Sequence, residues 1–484
     1  MDLHVKTRVH WLLDYGLARS VLTALAHRDD PFARLVIDSG GPENTYRLIE
    51  EVRRRGRMSP GIGGGWVTAD AQIVRNILRD DRFRTIKPQD RFPVRAVRWL
   101  AAKTAPPDMM NPVEPPSLLV VDPPVHTRLR RLVSRAFTPR AIDGLHDRIH
   151  EITNRVLDDL DGQSHCDLIA TFAARIPPIE VIAEMLGLPP GEEIAGLHAL
   201  ADPPAAKLLT TTVPAWNDFY TASVALRDFE GYIAAHIERL RLNDADNSIL
   251  SAVLHDDDLT EDEVRMFAGL LLGAGFITTT HAFGNAVVAL LRHPEQLAHL
   301  QAHPEGWSNA VEETLRYDSV AQLGVRVATE PLQIEGCPID EGQAVFVLLA
   351  GANRDPVLFE RPDEFDPHTR QRARTPQLQF RHSRLHRRSA RPPRTEHRPG
   401  STVSALSGTR TGWRADAQRQ HVAPRRETPT RQPGSRTARC RPLARHHQGS
   451  PGRCLTTRPR PVLRSAAAVR AARRCSPESS RVVS

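Results

Sequence analysis

TEDEVRMFAGLLLGAGFITTTHAFGNAVVALLRH, residues 260–293, is the stretch on which the fold turns. Thr260 and Glu263 stand three apart just ahead of an apolar run. That is the pattern of a capping box, so the spacing predicts a helix beginning here. From Met266 to Leu291 no Asp, Glu, Lys or Arg interrupts the run. A helix apolar on every side lies inside a large protein or inside a bilayer, and this one is long enough for either. Thr278, Thr279, Thr280, His281 and Asn285 at its centre, with acids just before it, favour the protein interior. The expectation is a long helix through the core of a large helical domain.

The middle of that helix is chemically distinct. Gly273, Ala274 and Gly275 remove side chains from part of its surface, and three threonines follow. Small residues let another group approach the backbone closely. A threonine hydroxyl can bond to a carbonyl one turn earlier and bend the helix. Two readings stay open on these residues alone. One is a kinked, partly polar gap facing a flat cofactor or small ligand; the other is close helix–helix packing with satisfied threonines.

Outward from this helix, composition divides the chain. Residues 381–484 hold 25 Arg, no Lys and 4 acids, a balance of +21, with Trp413 as the one aromatic. Residues 1–380 hold 40 basic and 53 acidic residues, a balance of −13. The first part is long enough to bury a sizeable core; the second has too little apolar content and too much charge to do so. The first twenty residues are charged and amphipathic, without the continuous apolar core of a secretory leader, so a cytoplasmic protein is expected. The five cysteines, Cys166, Cys337, Cys440, Cys454 and Cys475, show neither metal-site spacing nor a disulfide framework.

In chain order, residues 1–60 read as surface helices, with one over 45–55. Gly61 to Gly65 reads as a turn, since the Gly-Lys-Ser/Thr ending of a phosphate loop is missing. A short strand and helix follow from Trp66. Residues 85–118 are rich in proline and read as a long loop. In VVDPPVHTRLRRLVSRAFTPR, residues 120–140, Pro123 and Pro124 suit a helix start. His126 and Arg130 then share one helix face, among Arg128, Arg131 and Arg135 on what can equally be a solvated basic surface. Helical periodicity dominates residues 145–241, broken by the proline pairs at 177, 189 and 203. Another helix, 303–317, carries Glu313 and Arg316 three apart. Residues 325–351 alternate and contain Gly336 and Gly342, which predicts two or three strands. Residues 352–370 read as an irregular loop fixed by prolines.

Taken together, these segments resemble the cytochrome P-450 monooxygenases of the soluble bacterial type. Ala274-Gly275-Phe276-Ile277-Thr278-Thr279 is similar to that family's oxygen-binding motif, and Glu313-Thr314-Leu315-Arg316 to its E-x-x-R. Asp122-Pro123-Pro124 with His126 and Arg130 resembles the helix that holds the haem propionates, and Arg326 falls where the family has a further propionate ligand. Asn353-Arg354-Asp355-Pro356 and the residues up to Pro367 resemble the meander before the haem loop. The resemblance implies a mainly α fold with a small β-sheet region over residues 1–380. It implies haem as cofactor, a small organic substrate and a ferredoxin-type electron donor, with no membrane or nucleic-acid partner. It casts Thr278 as catalytic, and His126, Arg130, Ala274, Gly275 and Arg326 as cofactor-binding. Glu313, Arg316 and a basic meander residue such as Arg370 would be structural. Ile277 departs from the family, which has Asp or Glu there.

The resemblance stops after Phe380. In the pattern F-x-x-G-x-x-x-C-x-G, counted from Phe380, Ser383 takes the first glycine position, Arg387 the cysteine position and Ser389 the last. No cysteine lies between Cys337 and Cys440. Arg outnumbers Lys 61 to 4 over the chain, a sign of GC-rich coding DNA, and the last 104 residues include 11 prolines. A shifted reading frame near codon 380 produces such a segment; a genuine basic arm is the alternative. An arm that holds nucleic acid would mix Lys with Arg and interleave aromatics. The functional expectation is a haem-dependent monooxygenase by descent, inactive as written for want of its axial cysteine. A non-catalytic remnant is the second possibility.

Overall fold

The computed structural model describes residues 3–87, 95–104, 115–137, 139–161, 165–168, 177–188, 212–242, 248–254 and 258–368. The chain divides into two units, Met1–Ala423 and Pro424–Ser484, and every described residue belongs to the first. The architecture is mainly helical with two small sheets, as expected.

Helix α1 (Leu3–Trp11) continues through a π-turn (Leu12–Gly16) into α2 (Leu17–Ala26), so residues 3–26 form one rod. Helices α3 (Pro31–Ile37) and α4 (Pro42–Arg54) follow. These two are not the surface helices the sequence suggests. Phe32, Leu48, Ile49 and Val52 are fully or almost fully buried, and three of them pack on Val67, Leu348 and Ala350. Two of those partners lie some 300 residues downstream, beyond the reach of any local pattern.

Strands β1 (Ser59–Pro60) and β2 (Trp66–Thr68) are antiparallel, joined by the glycine turn. A side chain at Gly65 would lie 2.5 Å from the Ala344 carbonyl oxygen, so only glycine lets the two chain segments meet there. Helix α5 (Ala71–Ile77) is capped by Asp70, whose Oδ1 accepts from Gln72 N and Ile73 N, both at 2.9 Å. After β3 (Phe83–Arg84) comes α6 (Arg95–Thr104). It corrects the expectation of a structureless loop over 85–118. The prolines bound the segment without entering residues 95–104.

The helical layer then builds through α7 (Val125–Ala136), α8 (Pro139–Leu160), α9 (Pro177–Met185), α10 (Trp216–Arg241) and α11 (Ile249–Leu254) to the central helix α12 (Glu261–Arg292). The second and third proline pairs fall outside the described residues. Thr260 caps α12 as the spacing predicts: its Oγ1 accepts from Glu263 N at 3.3 Å, and Glu263 Oε2 accepts from Thr260 N at 3.0 Å. All 32 residues of α12 are helical, so no break accompanies the threonines. Among the described residues it is the one helix long and apolar enough to cross a membrane. Here it packs on α9, α10 and α11 within the main apolar cluster, where Ile182, Ile233, Leu250, Ala268 and Leu272 are buried.

Helices α13 (Pro294–Ala302) and α14 (Trp307–Tyr317) lead to four strands where two or three were expected: β4 (Leu323–Ala328), β5 (Leu332–Ile334), β6 (Cys337–Ile339) and β7 (Ala344–Leu348). Strands β5 and β6 form their own hairpin, turned at Glu335 and Gly336 with φ of 51° and 78°. The larger sheet has the order β1-β2-β7-β4-β3, in which β2 and β7 run parallel. Helix α15 (Leu349–Asn353) opens the final loop.

Candidate functional site

The most closed part of the structure is built on α14. Glu313 and Arg316 lie one turn apart on its inner face, and both are buried. Arg316 Nε and Nη2 donate to the two carboxylate oxygens of Glu313, each at 2.8 Å. The rest of the guanidinium is spent on the loop after α15. Nη1 donates to Asn353 O at 3.2 Å and Pro362 O at 2.8 Å, and Nη2 to Glu364 O at 2.7 Å. Phe359 offers its ring face 5.1 Å away. Glu313 in turn accepts from Asp366 N at 2.9 Å. The pair is therefore internal, and it holds a loop that has little apolar surface of its own. Arg370 lies outside the described residues.

A second knot holds the same loop from the other side. The Arg354 guanidinium lies between the rings of Tyr46 and Tyr317, at 3.5 Å and 4.2 Å from their centroids. Asp318 accepts from Tyr46 Oη at 3.3 Å. Burial pushes the Asp318 carboxyl above its ordinary value, although Arg354 and the Tyr46 hydroxyl oppose the shift. The sequence offers no signal for Tyr46, which comes from α4.

The expected anion-binding residues sit on two elements. His126 and Arg130 lie on α7, both half-buried and both with partners. Arg326 lies on β4. Asp122 joins the two places. Its backbone oxygen accepts from His126 N at 3.0 Å, and Oδ1 accepts from Thr85 N and Oγ1, both at 2.9 Å. Its charge also acts on Arg326. Burial lowers the Arg326 pKa below the usual guanidinium range, with Asp122 opposing. Among the described residues Arg326 makes no ion pair with a carboxylate, and Nη1 donates to the Val325 carbonyl at 2.8 Å. A partly buried cation is normally paired, so this guanidinium suits an external anion. Arg128, on the basic face of α7, is not merely solvated: it pairs with Glu263 and donates to Asp258 O at 2.8 Å, tying α7 to the start of α12.

On α12 the threonines and glycine part company. Gly275 faces α9: a side chain there would meet Ile182 Cδ1 at 2.5 Å. The gap expected beside a ligand is thus filled by an isoleucine, and the helix-packing reading holds at this position. Ala274 lies in the helix, but its side chain is outside the described residues. Ile277 is buried in the main cluster. Thr278 and His281 stand one turn apart and are exposed. His281 is nevertheless desolvated enough to lower its pKa below the usual 6.5.

A model of the cytochrome P-450 family matches residues 307–383, the segment from α14 through the loop it holds. The chain is 34% identical over 369 residues to cytochrome P-450 140 of Mycobacterium tuberculosis, covering 75% of this chain and 83% of that protein. The chain belongs to the cytochrome P-450 family. It is also 36% identical over 348 residues to cytochrome P-450 107B1 of Saccharopolyspora erythraea, covering 70% of this chain and 80% of that one. Among solved structures it is similar to P-450BioI in complex with an acyl carrier protein ligated to hexadec-9Z-enoic acid. That likeness has a TM-score of 0.61 and 28% identity, covering 69% of this chain and 88% of the other. As a P-450, the chain comes from a haem-using family of soluble bacterial relatives. Arg326, partly buried and without a carboxylate partner among the described residues, suits an anionic group such as a haem propionate. Counted from Phe380, Arg387 stands where the family pattern has its cysteine.

Proposed function

We propose that this P-450 body descends from a cytoplasmic monooxygenase that inserts one oxygen atom into a small organic substrate with electrons from a ferredoxin-type donor. We propose further that the 484-residue chain does not carry out that reaction. Haem, when bound with a cysteine thiolate, supplies the electron push that favours O–O cleavage. Arg326, with His126 and Arg130 from α7, would hold the propionates by charge-assisted hydrogen bonds. Thr278 would supply its hydroxyl to the bound oxygen in this reading. Ile277 offers no carboxylate, so a proton reaching Thr278 Oγ1 would come through water.

The observation that carries the holding role is Arg326, a partly buried guanidinium without a carboxylate partner among the described residues. Inactivity rests on the sequence. Position 387 is a permanent cation, and a guanidinium beside an iron centre in low dielectric opposes ligation. His386 is adjacent and could ligate iron through its imidazole, which gives a haem carrier and not the thiolate push. Residues 1–380 form the P-450 body in this reading, and residues 381–484 are the product of a shifted frame. The test is to express the full chain, reduce it and add carbon monoxide. The expected result is no shifted Soret band of a thiolate-ligated haem and no substrate turnover, with both appearing once the frame is restored at codon 380. A thiolate band from the chain as written would overturn the proposal.

A further inference from the structure

Among the described residues fifteen large apolar side chains are exposed, and eight of them lie on the rod of residues 3–26 and the two helices that pack on it, α6 and α10. Four belong to the rod of residues 3–26: Val5, Leu12, Leu17 and Val21, each between 44% and 59% exposed. Their spacing of seven, five and four follows one face, because the π-turn at 12–16 lengthens a turn to about five residues. The stripe runs over about 24 Å of the rod. Helix α6 adds Trp99 at 60% exposure and α10 adds Tyr220, each with one apolar neighbour. The elements are fastened together. His10 Nδ1 lies 3.2 Å from Ala101 O on α6, Trp11 Nε1 donates to Pro214 O at 3.0 Å, and His4 packs edge-on to Tyr220 at 4.9 Å.

The charge here runs against that of the body. Residues 3–26 and 95–104 carry six Lys and Arg and one acid, Asp14, a balance of +5, while residues 1–380 as a whole stand at −13. Lys103 Nζ lies 4.5 Å over the Trp99 ring, an ammonium held on the face of an exposed indole. A second copy of the same face would set +5 against +5, which disfavours a symmetric dimer. A long apolar stripe on net basic segments, with an exposed tryptophan beside an ammonium, matches the surface of an anionic bilayer.

We propose that the rod and α6 form a reversible docking face for anionic lipid, independent of whether the haem site is complete. This is contact in the headgroup plane and not insertion of a spanning helix. The probe is vesicles of phosphatidylcholine with phosphatidylglycerol, the phosphatidylcholine brominated to quench tryptophan. The basic residues 381–484 can hold such vesicles by themselves, so sedimentation does not decide the matter. The readout is the quenching of Trp99, taken as the difference between the full chain and W99F at both low and high salt. The expected result is Trp99-specific quenching with anionic vesicles. It should fall on the order of ten-fold in a V5D/L17D/V21D variant and be unchanged in V357D, an exposed position elsewhere. Because the substituted residues are exposed, the variants should keep the far-UV circular dichroism of the parent. No Trp99 quenching, with or without sedimentation, would overturn the proposal, as would equal quenching in the triple variant. A soluble acidic protein that protects Trp99 when vesicles do not would reassign the face to that partner.

Discussion

Replacing Arg316 by alanine should cost more than any single apolar truncation around it. The side chain is 2% exposed and makes two hydrogen bonds to Glu313 and three to backbone carbonyls. Alanine would leave the Glu313 carboxylate buried beside the Asp366 amide without its counter-charge. Breaking a buried pair from one side costs roughly 3–5 kcal/mol, out of a total of about 5–15 kcal/mol for a typical folded chain. The three carbonyls also lose their donor, though such terms do not add simply. For a chain of this size each kcal/mol lowers the melting temperature by about 2–4 °C, so R316A should melt about 6–20 °C lower. R316K should recover little of this, because an ammonium cannot span both carboxylate oxygens and the loop carbonyls. E313L/R316M should melt above R316A, since it removes the unpaired charge. The assay is thermal melting by far-UV circular dichroism at fixed scan rate. A fall under about 3 °C for R316A, or parity of R316K with the parent, would refute the claim that this pair closes the loop.

Three further outcomes follow from particular contacts. D70A removes the cap of α5 and the partner of Arg57 at 2.7 Å, and should cost about 1–2 kcal/mol by denaturant melting at neutral pH. Burial opposes ionisation of Asp70, but Arg57 and the amides of Ile73 and Gln72 hold its carboxyl below 3.8. The contribution is thus present above that value and lost as pH falls through the folded pKa, so parent and D70A should converge in acid. Asp318 behaves oppositely: its folded pKa lies above 3.8, so stability drains away as pH rises between the two values. D318N, which keeps an acceptor for Tyr46, should melt above the parent at neutral pH and level with it below pH 3.8; a lower melt at neutral pH would show that Arg354 needs the charge. G275A forces Ile182 aside and should destabilise, whereas G275A/I182V should regain part of the loss in a double-mutant cycle; additive single costs would mean the two sites do not touch.

What the sequence made legible was local. The capping box at Thr260 and the pairing of Glu313 with Arg316 are three-residue patterns, and both appear as spaced. The long apolar run gave the central helix because no charge interrupts it. What stayed illegible depends on partners far along the chain. Burial of α3 and α4 needs β7, and the clasp on Arg354 needs Tyr46, 308 positions earlier. Gly275 shows the limit within a motif: the residue type announced a close approach, but not whether the neighbour was a ligand or Ile182. The α6 helix was hidden by the prolines that bound it.

The same network explains why the body can keep the family's fold although its sequence departs after Phe380. Among the described residues, every acceptor that Arg316 uses, and every group that holds Arg354, lies at or before residue 366. The α14 helix and the loop after α15 supply these donors and acceptors to one another. Asn309, one turn before Glu313, adds a bond to the Pro367 carbonyl at the loop's far end. On the proposed reading, loss of the ligand-bearing segment would remove chemistry and leave these described polar groups paired. The family match through residue 383 agrees with that division of labour. It follows that restoring the frame at codon 380 should return the thiolate spectrum without a large change in the melting of the apo body. A rise comparable to the fall of about 6–20 °C expected for R316A would show instead that the missing segment completes the core.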